Sequence, residues 1–361
     1  MDTGTAYGLR PGSPLNELAQ VGPGPPYGEV LRRYWQPVAK VEDATTRPIS
    51  LKVLGEELIL FRTRKGKPGL LHPRCIHRGA SLFYGGVEEE GIRCCYHGWV
   101  FDTEGHCLEQ PCEPEMGLHR DRVRQPWYPV QEQYGLIWAY MGPPEKKPLL
   151  PRYDTFENLA DDEVLIVNDK GVGGGGPEVL DFNWLQHWEN VMDPFHVPIL
   201  HARFSGNQFT PEMALIPEVS YEYTPTGVRS IQMRELGDRR QLRRVTEVMF
   251  PNLRVVASPK LASGQTNMIG WVVPMDDTNF RIFTVARDSD PDFLLKLRST
   301  HEGKPWKELT DLEHQRLPGD YEAQKSQGDI SLHTEDHLTT TDQGIAMVRR
   351  MMAKQIRLVA N

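Results

Sequence analysis

Cysteine is scarce in this sequence, and its distribution argues against a disulfide framework. The 361 residues contain five cysteines, an odd number, and all of them lie between Cys75 and Cys112. Small secreted scaffolds carry an even number of cysteines along the whole chain, whereas a local group is more typical of a metal or redox site. The cysteine pattern therefore predicts such a site in this segment.

Long apolar runs and an excess of positive charge are also missing. The longest uncharged apolar stretch, near residues 136–141, is far shorter than the ~20 residues that span a bilayer, and residues 1–20 do not resemble a signal peptide. With 41 basic and 49 acidic residues, the net charge of -8 offers no electrostatic footprint for nucleic acid or an anionic membrane. We therefore predict a cytoplasmic protein that binds neither nucleic acid nor membrane.

The length predicts two domains, since one domain commonly takes roughly 100 to 200 residues. Short strand-like runs from Trp35 to about Gly142 indicate a small all-β domain, and a proline-rich, charged linker follows it. Strand-like runs between residues 164 and 285, with helical segments beside them, indicate a larger α+β domain with an antiparallel sheet. We predict an α+β protein with an N-terminal segment 1–34 that packs on the second domain, a first domain 35–145 and a second domain 146–361.

Two helices of the second domain have recognisable apolar stripes. Residues 177–192 are predicted as a helix because Leu180, Trp184, Trp188 and Val191 recur at helical spacing. The same periodicity predicts a C-terminal helix over residues 342–359.

Two loops of the first domain each carry one cysteine and one histidine. Cys75 and His77 form a Cys-x-His pair, and after sixteen intervening residues Cys94 and His97 form a Cys-x-x-His pair. Residues two apart on an extended chain point to the same side, and a pair three apart can converge across a tight turn. The two loops can therefore hold one metal cluster from opposite sides.

This ligand set fits either zinc or a Rieske cluster. Two cysteines and two histidines suit tetrahedral zinc, but zinc motifs usually pair cysteine with cysteine and histidine with histidine. Loops with one of each are typical of a Rieske [2Fe-2S] cluster, in which two thiolates hold one iron and two imidazoles hold the other. We predict the [2Fe-2S] cluster, and we interpret Cys95, Cys107 and Cys112 as small buried residues.

A second candidate metal site contains His196 and His201. Histidines five apart diverge by about 140° on a regular α-helix, but Pro198 between them interrupts the helix, so both imidazoles can turn toward one ion. Two imidazoles and one carboxylate are the ligand set of non-haem Fe(II) oxygenases. Structural histidines are the alternative interpretation, and the cluster motif upstream favours the iron.

Together these motifs resemble the oxygenase component, or α subunit, of the Rieske non-haem iron aromatic-ring oxygenases over nearly the whole chain. One match is the pair of cluster loops, and the other is Glu189-Asn190-x-x-Asp193-x-x-His196-x-x-x-x-His201. Within that family the chain is most similar to the phthalate dioxygenase type and to aromatic O-demethylases. The supporting C-terminal residues are Asp336-His337-Leu338, Thr341-Asp342-Gln343-Gly344-Ile345 and Arg349-Arg350.

The resemblance implies a helix-grip catalytic domain with a mononuclear Fe2+ held by His196, His201 and Asp342. Asp342 could instead cap the last helix, and Asp336 and Glu335 are competing candidates for the third ligand.

The resemblance also implies how electrons reach the iron. Asp193 would connect His97 of one subunit to His196 of its neighbour within a head-to-tail homotrimer, and Asn190 would lie near the iron. The electrons would come from an NAD(P)H-dependent reductase that contains flavin and a ferredoxin centre. The function implied is an oxygenase component that uses O2 to hydroxylate or O-demethylate an aromatic, carboxylated substrate.

A glycine-rich stretch and an arginine-rich segment allow other interpretations. Residues 171–176 match a dinucleotide fingerprint, but no repeated βαβ units surround them, so we predict a flexible loop. Some arginines of the strand-rich region could bind a substrate carboxylate, although most are expected on a solvated sheet face. These candidates are Arg229, Arg234, Arg239, Arg240, Arg243 and Arg244.

A function of another class is a Rieske-type electron carrier with an appended binding domain and no oxygenase activity. The second domain and its own ligand triad argue against this alternative. Iron content would separate the two, because only the oxygenase needs a mononuclear iron besides the cluster.

Overall fold

The computed structural model describes residues 11–170, 176–205, 209–257, 266–296, 300–301 and 304–360. The strands are β1 Trp35–Lys40, β2 Ile49–Val53, β3 Glu56–Arg62, β4 Pro68–Leu71, β5 Gly86–Val87, β6 Gly91–Arg93, β7 Val100–Asp102, β8 Cys107–Glu109, β9 Trp127–Tyr128, β10 Val130–Gln133, β11 Leu136–Tyr140, β12 Val164–Asn168, β13 Glu218–Tyr223, β14 Gly227–Gly237, β15 Arg240–Met249, β16 Leu253–Val255, β17 Met268–Asp276, β18 Asn279–Asp288, β19 Thr300–His301 and β20 Lys304–Pro305. The helices are α1 Asn16–Ala19, α2 Pro26–Arg32, α3 Trp184–Val191, a π-helix Val197–Phe204, α4 Phe293–Lys296, α5 Asp311–Arg316, α6 Asp320–Lys325 and α7 Gln343–Ala360.

The N-terminal strands form three small antiparallel sheets, ordered β1-β11-β10, β2-β3-β4-β9 and β5-β6-β7-β8. A separate apolar core lies among them and includes Ile59, Phe61, Leu82, Ile92 and Phe101, all fully or almost fully buried. Short strands rich in branched and aromatic residues fold in this way because each sheet buries one face against its neighbour. The small all-β domain that the sequence predicts is confirmed.

The second part of the chain is built on one seven-stranded antiparallel sheet, ordered β12-β18-β17-β16-β15-β14-β13. Along β14 and β15 the side chains alternate between buried and more exposed positions, as expected when one sheet face is covered. Helix α3 contacts β15 and β17, and α7 contacts β13 and β14. This sheet with helices confirms the predicted α+β class, and we call its covered surface the inner face.

Helix α7 is long and amphipathic, and Val348 and Met352 are completely buried on its inner side. Gly344 lies directly against the ring of Tyr221, where a Cβ atom would come within 2.4 Å of Cε1. The start of the helix can therefore approach β13 closely only because residue 344 has no side chain. The predicted C-terminal helix is present and begins at Gln343.

Helix α3 is shorter than the predicted helix 177–192. It begins after Asn183, whose side-chain oxygen accepts a hydrogen bond from Leu185 N at 3.0 Å. Leu180 instead pairs with Phe280 as an isolated β-bridge, so residues before Asn183 continue the edge of the sheet. Leu180 and Trp184 are both buried in the same hydrophobic core, but they belong to two different elements and not to one continuous helix. The glycine-rich stretch predicted as a loop lies largely outside the described residues, since 171–175 are not described.

The N-terminal helices α1 and α2 pack against α3 and α7. Tyr27 stacks on Trp184 with ring centroids 5.4 Å apart, and the indole of Trp184 donates a hydrogen bond to Ala19 O. Across the described part of the chain, no helix is both long and apolar enough to cross a bilayer.

Candidate metal centres

The two Cys-His loops of the first domain have matching backbone geometry. Cys75 N donates to Ala80 O at 2.8 Å and its carbonyl accepts from Gly79 N, also at 2.8 Å. In the second loop, Cys94 N donates to Trp99 O and the Cys94 carbonyl accepts from Gly98 N at 3.1 Å. Both glycines have positive φ, which lets each loop turn back immediately after its histidine. The loops therefore present their cysteines in equivalent ways.

The four predicted ligands of the cluster come together between these loops. The Cys75 and Cys94 thiols are buried and face each other, while the His77 and His97 rings are half-buried with centroids 4.6 Å apart. Two inner sulfurs and two outer imidazoles are the donor arrangement of a Rieske cluster, whose histidine-bound iron is the outer one. The residues present therefore fit a [2Fe-2S] group.

The surroundings of the thiols oppose two bare thiolates but place backbone N-H donors at one sulfur. Burial raises the pKa of Cys75 to about 11, and the facing Cys94 adds to this, so two bare thiolates would be unfavourable here. The backbone N-H groups of His77 and Arg78 point at the Cys75 sulfur and act in the opposite direction. Such N-H donors stabilise the charge of metal-bound thiolates.

Gln125 holds the first loop in place and was not identified by the sequence analysis. Its amide nitrogen donates to the carbonyls of His72 and Arg74, each at 2.8 Å, and its carbonyl accepts from Ile76 N at 2.8 Å. The residue is completely buried. A single glutamine offers no recognisable motif, so only the tertiary contact reveals this role.

The remaining cysteines differ in burial. Cys107 is buried, as predicted, but Cys95 and Cys112 are exposed, and that part of the prediction is wrong. Cys95 follows a buried ligand residue on a tight turn, so its side chain points outward. All five cysteines are free thiols in this structure.

The second centre is built on the π-helix that follows α3. His196 immediately precedes it and His201 lies within it, and their ring centroids are 5.2 Å apart. A π-helix closes its hydrogen bonds over five residues, so side chains five apart share one face, which an α-helix would not allow. The predicted convergence around Pro198 is therefore present, through a wider helix rather than through a break.

The third side chain at this centre is Asp320, at the first position of α6. Its Oδ1 lies 3.2 Å from His201 Nε2 and 3.7 Å from His196 Nε2. One ligand atom from each of the three residues falls within 4.8 Å of the others. Burial alone would raise the pKa of Asp320, but the two histidines hold it well below its usual range.

Asp342, the predicted third ligand, is not part of this group of three side chains, and Asp320 stands in its place beside the two histidines. Asp342 closes the capping box of the short 3-10 turn that leads into α7, where its Oδ2 accepts hydrogen bonds from Thr339 N at 2.7 Å and from Thr339 Oγ1 at 3.1 Å. Asp336 lies 2.7 Å from an Arg349 nitrogen, and Glu335 accepts from Gly12 N. All three sequence candidates therefore have other partners.

Asn190 and Asp193 lie beside the two centre histidines. Asn190 Nδ2 donates to Asp320 Oδ1 at 3.3 Å. Asp193 places Oδ2 3.6 Å from His196 Nδ1, a buried atom without a closer polar partner among the described residues. Burial acts to raise the pKa of Asp193, but His196 and the Phe195 backbone N-H lower it overall. The Asp193 carboxylate is therefore ionised and available to a second donor.

Glu189 connects α3 to the last helix, α7. Arg349 on α7 donates to both carboxylate oxygens of Glu189, at 2.6 and 2.8 Å, in a half-buried position. Burial nevertheless raises the pKa of Glu189. This bidentate pair positions α3, and hence both Asn190 and the chain that leads to His196.

The arginines named as candidate substrate ligands fall into two groups. Arg229 forms ion pairs with Glu222 and Glu247, and Arg239, Arg240 and Arg243 are exposed. Arg234 and Arg244 are buried on the inner face, where Arg244 lies over the ring of Phe209, which meets His201 edge-on. Alternation along β14 and β15 separates Arg229 and Arg243 from Arg234 and Arg244, whereas Arg239 and Arg240 lie where the chain turns between the two strands.

The donor set of the second centre fits a mononuclear metal with open positions. Two imidazole nitrogens and one carboxylate oxygen lie within 4.8 Å of one another, and His196 and Asp320 are only half-buried. This is the ligand set of non-haem iron oxygenases.

Residues 34–129 match the Rieske [2Fe-2S] domain family. The α subunit of phenoxybenzoate dioxygenase from Ectopseudomonas oleovorans is 51% identical over 360 residues, which covers 99% of this chain and 88% of the relative. The oxygenase subunit of 5,5'-dehydrodivanillate O-demethylase from a Sphingobium species is 34% identical, covering 96% and 80% of the two chains.

Solved structures share the fold at lower identity. NdmA from Pseudomonas putida CBB5 superposes with a TM-score of 0.69 at 20% identity, covering 92% of each chain. Dicamba monooxygenase bound to dicamba has a TM-score of 0.67 at 19% identity, covering 91% of this chain and 98% of the other. Both likenesses extend over the first and the second parts of the chain.

Proposed function

Because the chain belongs to the Rieske non-haem iron oxygenases, as an oxygenase component of the phthalate dioxygenase and O-demethylase type, we propose that it oxidises an aromatic acid. The reaction uses O2 and electrons supplied by a reductase, and it is a ring hydroxylation or an O-demethylation. The relatives named as oxygenase or α subunits support a separate NAD(P)H-dependent partner with flavin and ferredoxin centres.

One observation carries the proposal: a single chain holds both a paired Cys-His loop site and a separate His-His-Asp site. The Rieske domain carries a [2Fe-2S] cluster, and we assign Cys75, His77, Cys94 and His97 as its ligands. An electron carrier would need only this first site. The full-length oxygenase relatives therefore disfavour the carrier alternative.

We assign His196, His201 and Asp320 as the ligands of a mononuclear Fe2+. When bound in such a site, Fe2+ supplies open coordination positions at which O2 is activated beside the substrate. Asn190 holds Asp320 in place through its hydrogen bond, and Phe209 packs edge-on against the ring of His201. These contacts orient the three donor atoms toward one point.

The Asp193 carboxylate lies 3.6 Å from His196 Nδ1, on the side of the ring away from Nε2, which lies 3.7 Å from Asp320. A carboxylate in this position favours this orientation of the imidazole. In a head-to-tail homotrimer, the Asp193 carboxylate would also accept a hydrogen bond from His97 of a neighbouring subunit. The exposed side chains of Ile76 and Tyr96, beside the cluster histidines, support a protein contact there.

The trimer and the cytoplasmic location stay predictions. We also propose domain limits at residues 35–145 and 146–361, with residues 1–34 attached to the second domain. The packing of α1 and α2 on α3 and α7 supports that attachment.

Iron counting and a turnover screen test the proposal together. The reconstituted chain should bind one mononuclear iron besides the cluster pair, and a surrogate reductase should support oxidation of benzoates, phthalates, methoxylated benzoates or phenoxybenzoates. The mass of the product, or release of formaldehyde, identifies the reaction. A chain that binds only cluster iron and passes electrons without consuming O2 would instead be a carrier.

A further inference from the structure

Arg254 is an inner-face residue of the central sheet that lies beside the proposed iron site. On β16 it pairs with Val248 of β15 on one side and with Gly270 of β17 on the other. Val248 is completely buried on the inner face, and paired residues share a face, so the Arg254 side chain leaves the sheet on that face. The Asp320 carboxylate lies close enough to the Arg254 guanidinium to raise its pKa.

Gly270 leaves the space through which this side chain passes. A Cβ atom at residue 270 would lie 2.9 Å from Arg254 Nε and 3.1 Å from its Cγ, and 3.4 Å from Thr284 Oγ1. Gly270 has no positive φ, so the backbone does not require glycine there. The absence of a side chain therefore serves to let Arg254 cross the strand.

Within the described part of the chain, no hydrogen bond or ion pair holds the Arg254 guanidinium. Asp320 is already shared among the two histidines and Asn190. Burial lowers the pKa of Arg254 to about 10, against a raising effect of Asp320, so the group remains charged at neutral pH. A half-buried charge without a partner is costly, and it is retained where a ligand supplies the partner.

Two other polar atoms near Arg254 are also unpaired. His187 Nε2 and Thr284 Oγ1 are buried and have no hydrogen-bond partner among the residues that the structure describes. Burial lowers the pKa of His187 to about 3. Arg254 adds to this lowering and Asp320 opposes it, so the imidazole is neutral. A cation, a neutral imidazole and a hydroxyl thus border the same region of the inner face.

We propose that Arg254 is a specificity-determining residue that binds the carboxylate of the substrate beside the iron. The planar guanidinium matches a carboxylate in a two-point contact, and this contact supplies the anion that the arginine lacks. The inference rests on the proposed function, because it places an aromatic acid in the mononuclear iron site. It also assigns the substrate anchor to a residue outside the arginine-rich segment noted in the sequence.

Equilibrium binding under argon tests the assignment without turnover. The probes are benzoate and a phenoxybenzoate, with benzamide and the corresponding phenoxybenzamide as uncharged analogues, added to the iron-loaded enzyme. Arg254→Gln should weaken binding of the acids by roughly 10- to 100-fold and change binding of the amides by less than about threefold. Arg254→Lys should recover only part of the acid affinity, since lysine lacks the two-point geometry.

A second variant separates position from charge. Gly270→Ala keeps the arginine but displaces its side chain, and should also weaken acid binding selectively. Arg243→Gln is the matched control, because Arg243 is an exposed arginine of the neighbouring strand β15, and it should bind both acids as the wild type does.

Iron content and cluster absorption are measured on every variant. Equal losses for acids and amides, unchanged acid affinity in Arg254→Gln, or loss of mononuclear iron with an unchanged acid-to-amide ratio would overturn the assignment. The last result would mean that Arg254 only holds Asp320. Arg254-dependent acid binding without any oxidation would instead refute the proposed function, whereas oxidation of aromatic acids that does not depend on Arg254 would refute only this inference.

Discussion

Replacing Asp320 and Asp342 in parallel decides which carboxylate completes the mononuclear site. We expect Asp320→Ala to lose the mononuclear iron and all oxygenase turnover, while Asp342→Ala keeps both. The reason is geometric, since Asp320 Oδ1 lies 3.2 Å from His201 Nε2. Asp342 Oδ2 is instead occupied by the backbone N-H and hydroxyl of Thr339.

The two substitutions should also differ in size and kind of effect. Loss of a partner that only orients a ligand commonly costs about 10- to 100-fold in metal affinity, so loss of a direct ligand should cost at least about 100-fold. Asp342→Ala removes a helix cap, which costs about 1 kcal/mol, or a fall in Tm of about 2 to 4 °C for a domain of this size. Asp320→Asn is a closer replacement that retains an acceptor for Asn190 but weakens the metal ligand.

The assay is anaerobic reconstitution followed by separate counts of total and cluster iron. Total iron is determined by a chelating dye after acid release, and cluster iron by visible absorption and EPR of the reduced protein. Iron beyond the cluster should vanish in Asp320→Ala and persist in Asp342→Ala. If Asp342→Ala lost that iron while Asp320→Ala retained it, the ligand assignment from the structure would be refuted.

Three further predictions concern the cluster and its connection to the iron. Cys94→Ala should abolish the absorption and EPR signature of the cluster, since it removes a thiolate ligand, and a preserved spectrum would disprove the assignment. Gln125→Leu leaves three backbone groups of the first loop unpaired, at about 1 to 3 kcal/mol each, so cluster absorption should bleach at lower urea concentrations than in wild type. Asp193→Asn should keep both metal sites but slow oxidation of the reduced cluster about 10- to 100-fold in single turnover with substrate and O2, and a wild-type rate would exclude the proposed connection through Asp193.

Features that depend on neighbours in the chain were predictable from the sequence. The cluster loops bring each cysteine to a histidine two or three residues away, and the backbone turns at Gly79 and Gly98 complete them locally. The strand-rich first domain and the apolar stripe of α7 follow from periodicity, because alternation and helical spacing record which face is buried. The family resemblance rests on these local patterns and is confirmed by the relatives.

The start of α3 illustrates a boundary that local pattern could not determine. Leu180 and Trp184 share the spacing of a helical stripe and are both buried, yet Leu180 belongs to a β-bridge with Phe280. Burial by the same core gives two elements the same apolar pattern. The cap at Asn183, which separates them, depends also on its contacts with Ala19 and Asp277.

The carboxylate that lies beside the two histidines and the inner-face position of Arg254 were decided only by the tertiary structure. Asp320 and Asp342 both stand at helix starts, where a carboxylate is favourable whether or not it binds a metal. Only the packing of α6 against the π-helix brings Asp320 to His201, more than a hundred residues away in the chain. Likewise, the register of β16 between β15 and β17 places Arg254 on the inner face, and sequence spacing carries no record of such pairing between distant strands.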